Sequence, residues 1–284
     1  MEEVISIVNA AKLAEYQVRL REEEKSRATI EKYIRDVKAF AEYSKGQLLS
    51  KVLVMEYKEY LKEHYAVSSV NSMLASVNHY LEFAGMTQYK VKQLKQQRKA
   101  YCEEEKELSK QEYIRLVQTA NNSGKEQLSL ILQTICSTGI RISELEYITV
   151  SAVSSGAAEV DCKGKSRRIY IPHKLKMLLL AYCRKHKIRS GCVFVTRKGK
   201  KVDRSNVWRE MKRLCCEAMV DEKKVFPHNL RHLFARTYYR IEKDLSKLAD
   251  LLGHSSINTT RIYIITSGEE HRRQVERMEL IPDV

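Results

Sequence analysis

The stretch AEVDCKGKSRRIYIP, residues 158–172, decides the fold class, because it predicts a β-hairpin within a chain whose other patterns are helical. Two short runs of β-forming residues, AEVDC and RRIYIP, flank the turn-forming KGKS, which places lysines at the turn. On both sides of this stretch, apolar residues recur at intervals of three and four, the spacing of helices. The sequence therefore predicts a mainly α protein with a small β-sheet.

The chain is expected to form two domains, because its 284 residues exceed what one hydrophobic core usually organises. Residues 1–89 carry about four helical patterns and predict a helical N-terminal domain. Residues 90–108 are polar, with a basic half and an acidic half, and are interpreted as a linker. Residues 109–284 form the mixed α/β second domain, which opens with Ser109 three residues before Glu112, the spacing of a capping box.

The positive charge of the chain is concentrated in one segment. The formal net charge is +15, and residues 163–213 contain 18 Lys or Arg against only Asp203 and Glu210, so this segment alone carries +16. A folded surface normally mixes both signs, whereas a block of one sign attracts polyanions. We therefore expect a nucleic-acid partner; the alternative is a basic, solvated face without a partner.

Several classes of protein are disfavoured by the sequence. It contains no run of about 18 apolar residues that would predict a membrane span, and the acidic start MEEVISIVNAAKL is unlike a secretory signal. The seven cysteines include no C-x-x-C pair, which favours reduced thiols in a cytoplasmic protein over disulfides or a zinc site. No P-loop, dinucleotide-binding glycine pattern or H-E-x-x-H motif is present, so neither a cofactor nor a metal is expected.

Two stretches offer cations suited to a phosphate group. HNLRHLFA, residues 228–235, puts His228 and Arg231 on one helix face, along a polar edge, and TGIRISEL, residues 138–145, places Arg141 at a helix start. Breaking a phosphodiester without a metal requires cations for the non-bridging oxygens, an in-line nucleophile and an acid for the leaving oxygen. The plainer alternatives are a solvated or capping His–Arg pair and a salt bridge from Arg141 to Glu144.

Four stretches together resemble the motifs of the tyrosine recombinases, also called the phage integrase family. In chain order they are TGIRISEL (138–145), KGKSRRIYIP (163–172), HNLRHLFA (228–235) and LLGHSSINTTRIYI (251–264). The first domain resembles the helical core-binding domain of the family, so the resemblance covers nearly the whole chain. It implies a site-specific DNA recombinase with a mixed α/β catalytic domain.

The resemblance also implies roles for individual residues. The implied catalytic set is Arg141, Lys163, His228, Arg231, His254 and Tyr263. Tyr263 would be the nucleophile, His228 would accept its proton, and the arginines with His254 would bind the phosphate. Lys163 would protonate the leaving oxygen, but the hairpin departs from the family spacing by one residue, so Lys165 stays open as the alternative. Glu144 would order its surroundings, and His232 would be structural.

The implied reaction cuts and rejoins DNA through a 3′-phosphotyrosine, without ATP, metal or cofactor. The expected partners are double-stranded DNA recombination sites, further copies of the chain in a homotetrameric synaptic complex, and accessory DNA-bending or directionality factors. The favoured role is a mobile-element or phage integrase in a bacterial cytoplasm. The alternatives are an Xer-like chromosome resolvase, a type IB topoisomerase with the same chemistry, and a non-catalytic DNA-binding protein.

Overall fold

The computed structural model describes residues 10–45, 47–95, 107–162, 165–196, 198–254, 256–261, 272 and 276–278. The chain divides into two compact units, Met1–Arg98 and Lys99–Val284. Each unit has its own buried core. The domain bounds expected from the sequence, including a linker at 90–108, stay a prediction.

The first unit is helical. Its described elements are helices α1 (Ala10–Glu22), α2 (Arg27–Tyr43), α3 (Lys51–His64) and α4 (Val67–Phe83), followed by a 3₁₀ turn at Thr87–Tyr89. The hydroxyls of Ser26 and Ser50 cap the N-termini of α2 and α3. Helices α2 and α4 bury apolar residues such as Val37 and Leu74, which gives the unit the helical core that the apolar spacing predicts.

The segment after α4 is held against the first unit by two asparagine side chains. The amide of Asn78 exchanges hydrogen bonds with the backbone of Val91, and the amide of Asn71 does so with the backbone of Leu94. Val91 is buried in the core of this unit. The beginning of the predicted linker is therefore fixed to the helical unit by backbone hydrogen bonds and burial.

The second unit alternates helices with one hairpin. In chain order its described elements are α5 (Lys110–Asn122), α6 (Glu126–Thr138), a 3₁₀ helix (Ile142–Tyr147), α7 (Val150–Ser155), β1 (Ala157–Cys162), β2 (Lys165–Tyr170), α8 (His173–Lys185), α9 (Arg204–Leu214), a 3₁₀ turn (Glu222–Lys224), α10 (Pro227–Glu242), α11 (Leu245–Leu252) and α12 (Ile257–Arg261). Ser109 and Glu112 form the predicted capping box at the start of α5.

The predicted hairpin is present, and its register runs from Ala157 opposite Tyr170 to Cys162 opposite Lys165. Strand β2 already begins at Lys165, so the turn is shorter than the KGKS predicted from the sequence. In the described part of the chain this hairpin is the whole sheet, and isolated bridges pair Thr149 with Cys192 and Val195 with Lys201. The mainly α fold with a small β-sheet is thereby confirmed.

The helix expected to begin near Gly139 is a 3₁₀ helix instead, starting at Ile142. Gly139 ends α6 with a φ of +66°, and its Cα lies against the ring of Phe234 on α10. The carboxylate of Glu144 then accepts a hydrogen bond from the backbone N–H of Arg141. This reversal after α6 turns Arg141 away from the helix axis and next to α10.

No helix among the described residues is long and apolar enough to cross a membrane.

We predict that Gly139→Ala destabilises the second unit more than Gly124→Ala does. The two glycines have nearly equal φ values, +66° and +67°, so either alanine costs about 1–2 kcal/mol of backbone strain. A Cβ at Gly139 would also lie 2.4 Å from the Phe234 ring, whereas a Cβ at Gly124 meets nothing within 4 Å. Overpacking of this kind adds about 1–3 kcal/mol.

Denaturant unfolding followed by fluorescence measures this difference, because the single tryptophan, Trp208, lies on α9 of the second unit. Equal midpoints for the two variants would show that the close approach of Gly139 to Phe234 contributes nothing.

Candidate active site

Arg231 lies at the centre of the site and is buried, with 1% of its surface exposed. Its Nη1 donates to the carbonyl of Gly139 at 2.6 Å, and its Nη2 donates to the carbonyl of Leu252 at 2.6 Å. These carbonyls stand at the C-terminal ends of α6 and α11, where helix dipoles present negative charge. The sequence-based placement of Arg231 on a polar edge is therefore wrong, because two helix ends replace the water that would solvate it.

Arg141 sits at the turn that follows α6. Its Nη1 donates to Oε1 of Glu144 at 2.8 Å, so the salt bridge considered from the sequence is present. About a third of the side chain, 35%, stays exposed to solvent. Arg141 is thus oriented by the carboxylate on one side and accessible to a ligand on the other.

Glu144 is the buried carboxylate of the site, with 2% of its surface exposed. Besides Arg141, it accepts two hydrogen bonds from Arg167 on β2, at 3.1 and 2.6 Å. Burial by itself would raise the pKa of Glu144, but the hydrogen bonds from Arg167 and Arg141 outweigh burial and hold the pKa below its usual value. Glu144 therefore remains ionised at neutral pH.

Arg167 was not among the residues singled out from the sequence. A signal for it exists in the alternation of strand β2, where Ile169 is buried and Arg168 and Tyr170 are exposed. Since side chains alternate between the two faces of a strand, Arg167 shares the inward face with Ile169. This alternation of side chains along β2 could have identified Arg167 as the arginine that points into the unit.

His254 follows α11 and touches both Arg231 and the last described helix. Its Nε2 lies 3.0 Å from Nη2 of Arg231, and its Nδ1 lies 2.8 Å from the hydroxyl of Thr260 on α12. A guanidinium only donates, so Nε2 is the acceptor and Nδ1 carries the proton. Burial first, and then repulsion by nearby arginines, lower the pKa of His254 to about 4, which keeps the ring neutral at pH 7.

His228 lies in the first turn of α10, which begins with Pro227. Burial lowers the pKa of His228, and the positive charges of Arg231 and Arg141 lower it further. The ring of His232 stands edge-on to that of His228 with centroids 4.8 Å apart, and burial lowers its pKa to about 4. A neutral His228 beside two cations is able to accept a proton at neutral pH.

Three of the predicted residues cannot be placed by side chain. Lys163 and Tyr263 lie outside the described residues. Lys165 is placed only by its backbone, as the first residue of β2 opposite Cys162. The structure thus brings together Arg141, Glu144, His228, Arg231 and His254, and it adds Arg167 to them.

The electrostatic character of this cluster suits an anion. Arg141 and Arg167 pair with one carboxylate and Arg231 lies beside His254, while burial and then the positive charge of the arginines lower the pKa values of His228 and His254. Within the described residues no group of three or more His, Cys, Asp or Glu is arranged to hold a metal ion. A phosphate diester, with one negative charge spread over two non-bridging oxygens, fits the cations of this cluster.

Comparison with known proteins identifies the family. Residues 106–270 match the model of the phage integrase family. The tyrosine recombinase XerA of Pyrococcus furiosus is 28% identical over 279 residues, which cover 96% of this chain and 95% of the relative. The tyrosine recombinase XerD of Chlamydia trachomatis is 37% identical over 148 residues, which span 49% of this chain and 48% of the relative.

Solved structures share the fold. XerH site-specific recombinase, bound to a palindromic difH substrate in a post-cleavage complex, has a TM-score of 0.73 at 18% identity and covers 95% of this chain and 85% of its own. A lambda integrase tetramer bound to a Holliday junction has a TM-score of 0.71 at 17% identity and covers 89% of this chain and 76% of its own.

The chain belongs to the phage integrase family. The family, the fold class and the site-specific tyrosine recombinase function predicted from the sequence are confirmed. The roles of the individual site residues stay predictions.

We predict that the free energy of unfolding of the second unit decreases as the pH falls from about 6.5 to 4. His232 and His254 have native pKa values of about 4, below the ordinary value of 6.5. In that interval the unfolded chain binds protons at these histidines and the native chain does not, so stability is full above pH 6.5 and is lost as the pH drops.

Denaturant midpoints measured by Trp208 fluorescence at several pH values test this expectation. His232→Gln should flatten the pH dependence, and His173→Gln, a substitution of an exposed histidine on α8, serves as the matched control. A His232→Gln variant with the wild-type slope would contradict the assignment.

Proposed function

We propose that this chain cuts and rejoins DNA at specific sites, with Tyr263 as the nucleophile that forms a 3′-phosphotyrosine. The observation that carries the proposal is the cluster in which Arg231 contacts His254 while Arg141 and Arg167 pair with the buried carboxylate of Glu144, with neutral His228 close to Arg231 and Arg141. One phosphate ester replaces another in this reaction. The energy of the broken bond is retained in the protein–DNA link until a 5′-hydroxyl attacks it.

Arg141 and Arg231 are proposed to bind the non-bridging oxygens of the scissile phosphate. The exposed part of Arg141 is available to one oxygen, and Arg231 is held in place by the ends of α6 and α11, so little reorganisation accompanies the reaction. A cation that is fixed before the transition state forms stabilises developing charge more effectively than one that must reorient.

We propose that His254 contributes to phosphate binding after its ring gains a second proton. Its Nε2 accepts a hydrogen bond from Arg231 in the DNA-free protein, but a phosphate oxygen requires a donor. A phosphate nearby raises the pKa of the imidazole, because the negative charge favours the protonated ring. We therefore infer that DNA binding protonates His254 at Nε2 and allows it to donate to the phosphate.

Proton transfer would be divided between His228 and a hairpin lysine. A free tyrosine has a pKa of about 10 and needs a base at neutral pH, and His228 is neutral and adjacent to Arg231 and Arg141. Lys163, with Lys165 as the alternative, would give a proton to the departing 5′-oxygen. Lys165 is the first residue of β2, and Lys163 follows the last residue of β1 in the sequence.

The partner we propose is double-stranded DNA, bound by a homotetramer in the synaptic complex. The basic segment 163–213 supplies charge for phosphate contacts, and the lambda integrase and XerH structures that share the fold contain nucleic acid. We propose that the protein acts in the cytoplasm, with accessory DNA-bending or directionality factors.

The biological role has two candidates. The sequence favours a mobile-element or phage integrase, and the alignment with XerA over 96% of the chain supports an Xer-like recombinase. Either role predicts exchange between two duplexes, which a type IB topoisomerase does not perform, and a covalent adduct, which a non-catalytic DNA-binding protein does not form.

We predict that the full chain forms a denaturation-resistant adduct with nicked duplex oligonucleotides carrying its recombination site, and that Tyr263→Phe abolishes the adduct while DNA binding persists. The nick lets the fragment that carries the free 5′-hydroxyl diffuse away, so that the covalent protein–DNA intermediate is trapped. Gel electrophoresis under denaturing conditions measures the adduct, and Tyr238→Phe serves as a matched control that should retain it. An adduct formed by Tyr263→Phe would refute Tyr263 as the nucleophile.

We further predict that a substrate with sulfur in place of the bridging 5′-oxygen identifies the general acid. A thiolate leaves without protonation, so this substrate should restore cleavage only to the variant that lacks the acid. Lys163→Ala should be slow on the oxygen substrate and fast on the sulfur substrate, and Lys165→Ala should respond little. The reverse pattern would assign the role to Lys165, and no rescue in either variant would exclude both.

A further inference from the structure

One side chain connects three parts of the site, and the recombinase resemblance gives it no role. Arg167 reaches from strand β2 to the carboxylate of Glu144, donating from Nη1 at 3.1 Å and from Nη2 at 2.6 Å. Arg141 donates to the same carboxylate from its Nη1 and from its backbone N–H. Arg167 therefore links the hairpin to the turn that carries Arg141.

Arg167 also packs against the turn that carries His254. A Cβ built on Gly253 would lie 2.7 Å from Nη1 and 2.8 Å from Cδ of Arg167, so only a glycine leaves room for the guanidinium at this distance. Gly253 has a φ of +63°, which glycine adopts without strain, and the next residue is His254. The position of Arg167 is thus coupled to the approach of His254 to Arg231.

The charge balance around Glu144 depends on Arg167. With Arg167 present, the carboxylate pairs with two guanidinium groups, and Arg141 donates to it from one terminal nitrogen. Without Arg167, the buried carboxylate would have Arg141 as its remaining cation and would draw it into a two-bonded pair, because a buried anion needs full compensation. Arg141 would then be turned away from a phosphate.

Arg167 is not itself placed to bind the phosphate. Both of its terminal nitrogens donate to the Glu144 carboxylate, which compensates its charge, whereas the terminal nitrogens of Arg231 donate to the neutral carbonyls of Gly139 and Leu252. The side chain of Arg167 is 11% exposed, against 35% for Arg141. Arg141, the more exposed of the two, and Arg167, the less exposed, therefore have different tasks on the same carboxylate.

We propose that Arg167 is a positioning residue, which fixes Glu144, and through it Arg141, together with the Gly253–His254 turn, in the arrangement that binds the scissile phosphate. This inference rests on the proposed recombinase function. It predicts that the hairpin contributes to catalysis through Arg167 as well as through a lysine, so that movement of the hairpin changes phosphate binding and leaving-group protonation together.

The chain offers a matched control on the same strand. Arg168 is exposed on the opposite face of β2, where its guanidinium carbon lies 5.9 Å from the centroid of the Tyr170 ring. Arg168→Met removes the same charge from the hairpin without touching Glu144. It should weaken DNA binding at most, by the loss of one surface cation.

The experiment compares full-length wild type, Arg167→Met, Arg167→Lys and Arg168→Met on the nicked substrate. The rate of adduct formation is measured with DNA saturating, and the Kd for intact duplex is measured separately at fixed salt. Arg167→Met should cleave on the order of 10- to 100-fold more slowly, because a small misplacement of a phosphate-binding group has an effect of that size. Arg167→Lys should restore part of the rate, and the Kd should change little.

The pH profile separates positioning from a merely structural role. Two charged groups face Glu144, namely Arg141 from its own turn and Arg167 from β2. The other titratable groups of the cluster are His228 and Arg231 on α10 and His254 after α11. Hydrogen bonds from Arg167 are the first cause that lowers the pKa of Glu144. Without them the carboxylate takes up a proton at higher pH, and the acid limb of the cleavage profile should move upward.

Removal of Arg167 also relieves repulsion on His254, whose pKa would rise as well. A Glu144→Gln background shows which of the two groups moves the acid limb of the cleavage profile. A shift of the acid limb that arises at Glu144 disappears in that background, whereas a shift that arises at His254 persists. In that background Arg167→Met should slow cleavage by no more than about threefold, since two residues acting through one contact are not additive.

Each outcome of this experiment either supports or overturns the positioning role of Arg167. Circular dichroism at the assay temperature verifies that the compared variants are folded, and Arg167→Lys keeps the test valid if Arg167→Met does not fold. A folded Arg167 variant with the wild-type rate and acid limb, or full additivity with Glu144→Gln, would overturn the positioning role alone. Absence of an adduct with wild-type protein on a demonstrated recombination site would overturn the proposed function, and with it this inference.

Discussion

The buried guanidinium of Arg231 is the interaction on which the rest of the site depends. A cation with 1% exposure is stable only where fixed negative potential replaces water, and the carbonyls at the ends of α6 and α11 supply that potential. Because Arg231 bonds both ends at once, it also sets the distance between the helix that precedes Arg141 and the helix that precedes His254. The arginine that we propose to bind the phosphate thus also connects two helices of the second unit.

Burial, together with the same concentration of positive charge, keeps the histidines of the site neutral. Burial lowers the pKa values of His228 and His254, and the arginines lower them further, so both rings are uncharged in the absence of DNA. In the proposed mechanism a bound phosphate raises the pKa of His254, which then donates to it, while His228 stays neutral and acts as the base.

Much of the fold and of the site could be predicted from local patterns in the sequence. Helical spacing identified α1 to α4, the Ser109–Glu112 capping box marked the start of α5, and short β-forming runs marked the hairpin. The 3₁₀ helix at Ile142–Tyr147 was missed because it depends on the Glu144 carboxylate bonding the Arg141 backbone, a contact that apolar spacing does not encode. Arg167 was missed because its partner lies 23 residues away in the chain.

The sequence by itself determined which residue types stand at the site, because three of the four motifs contain Arg141, His228, Arg231 and His254. It also determined that the segment 163–213 is strongly basic. Only the tertiary structure decided that Arg231 is buried, that the proton of His254 resides on Nδ1, and that Glu144 is shared by two arginines. Burial and hydrogen bonding between distant residues arise when α6, α10, α11 and β2 pack together, and no local pattern contains those distances.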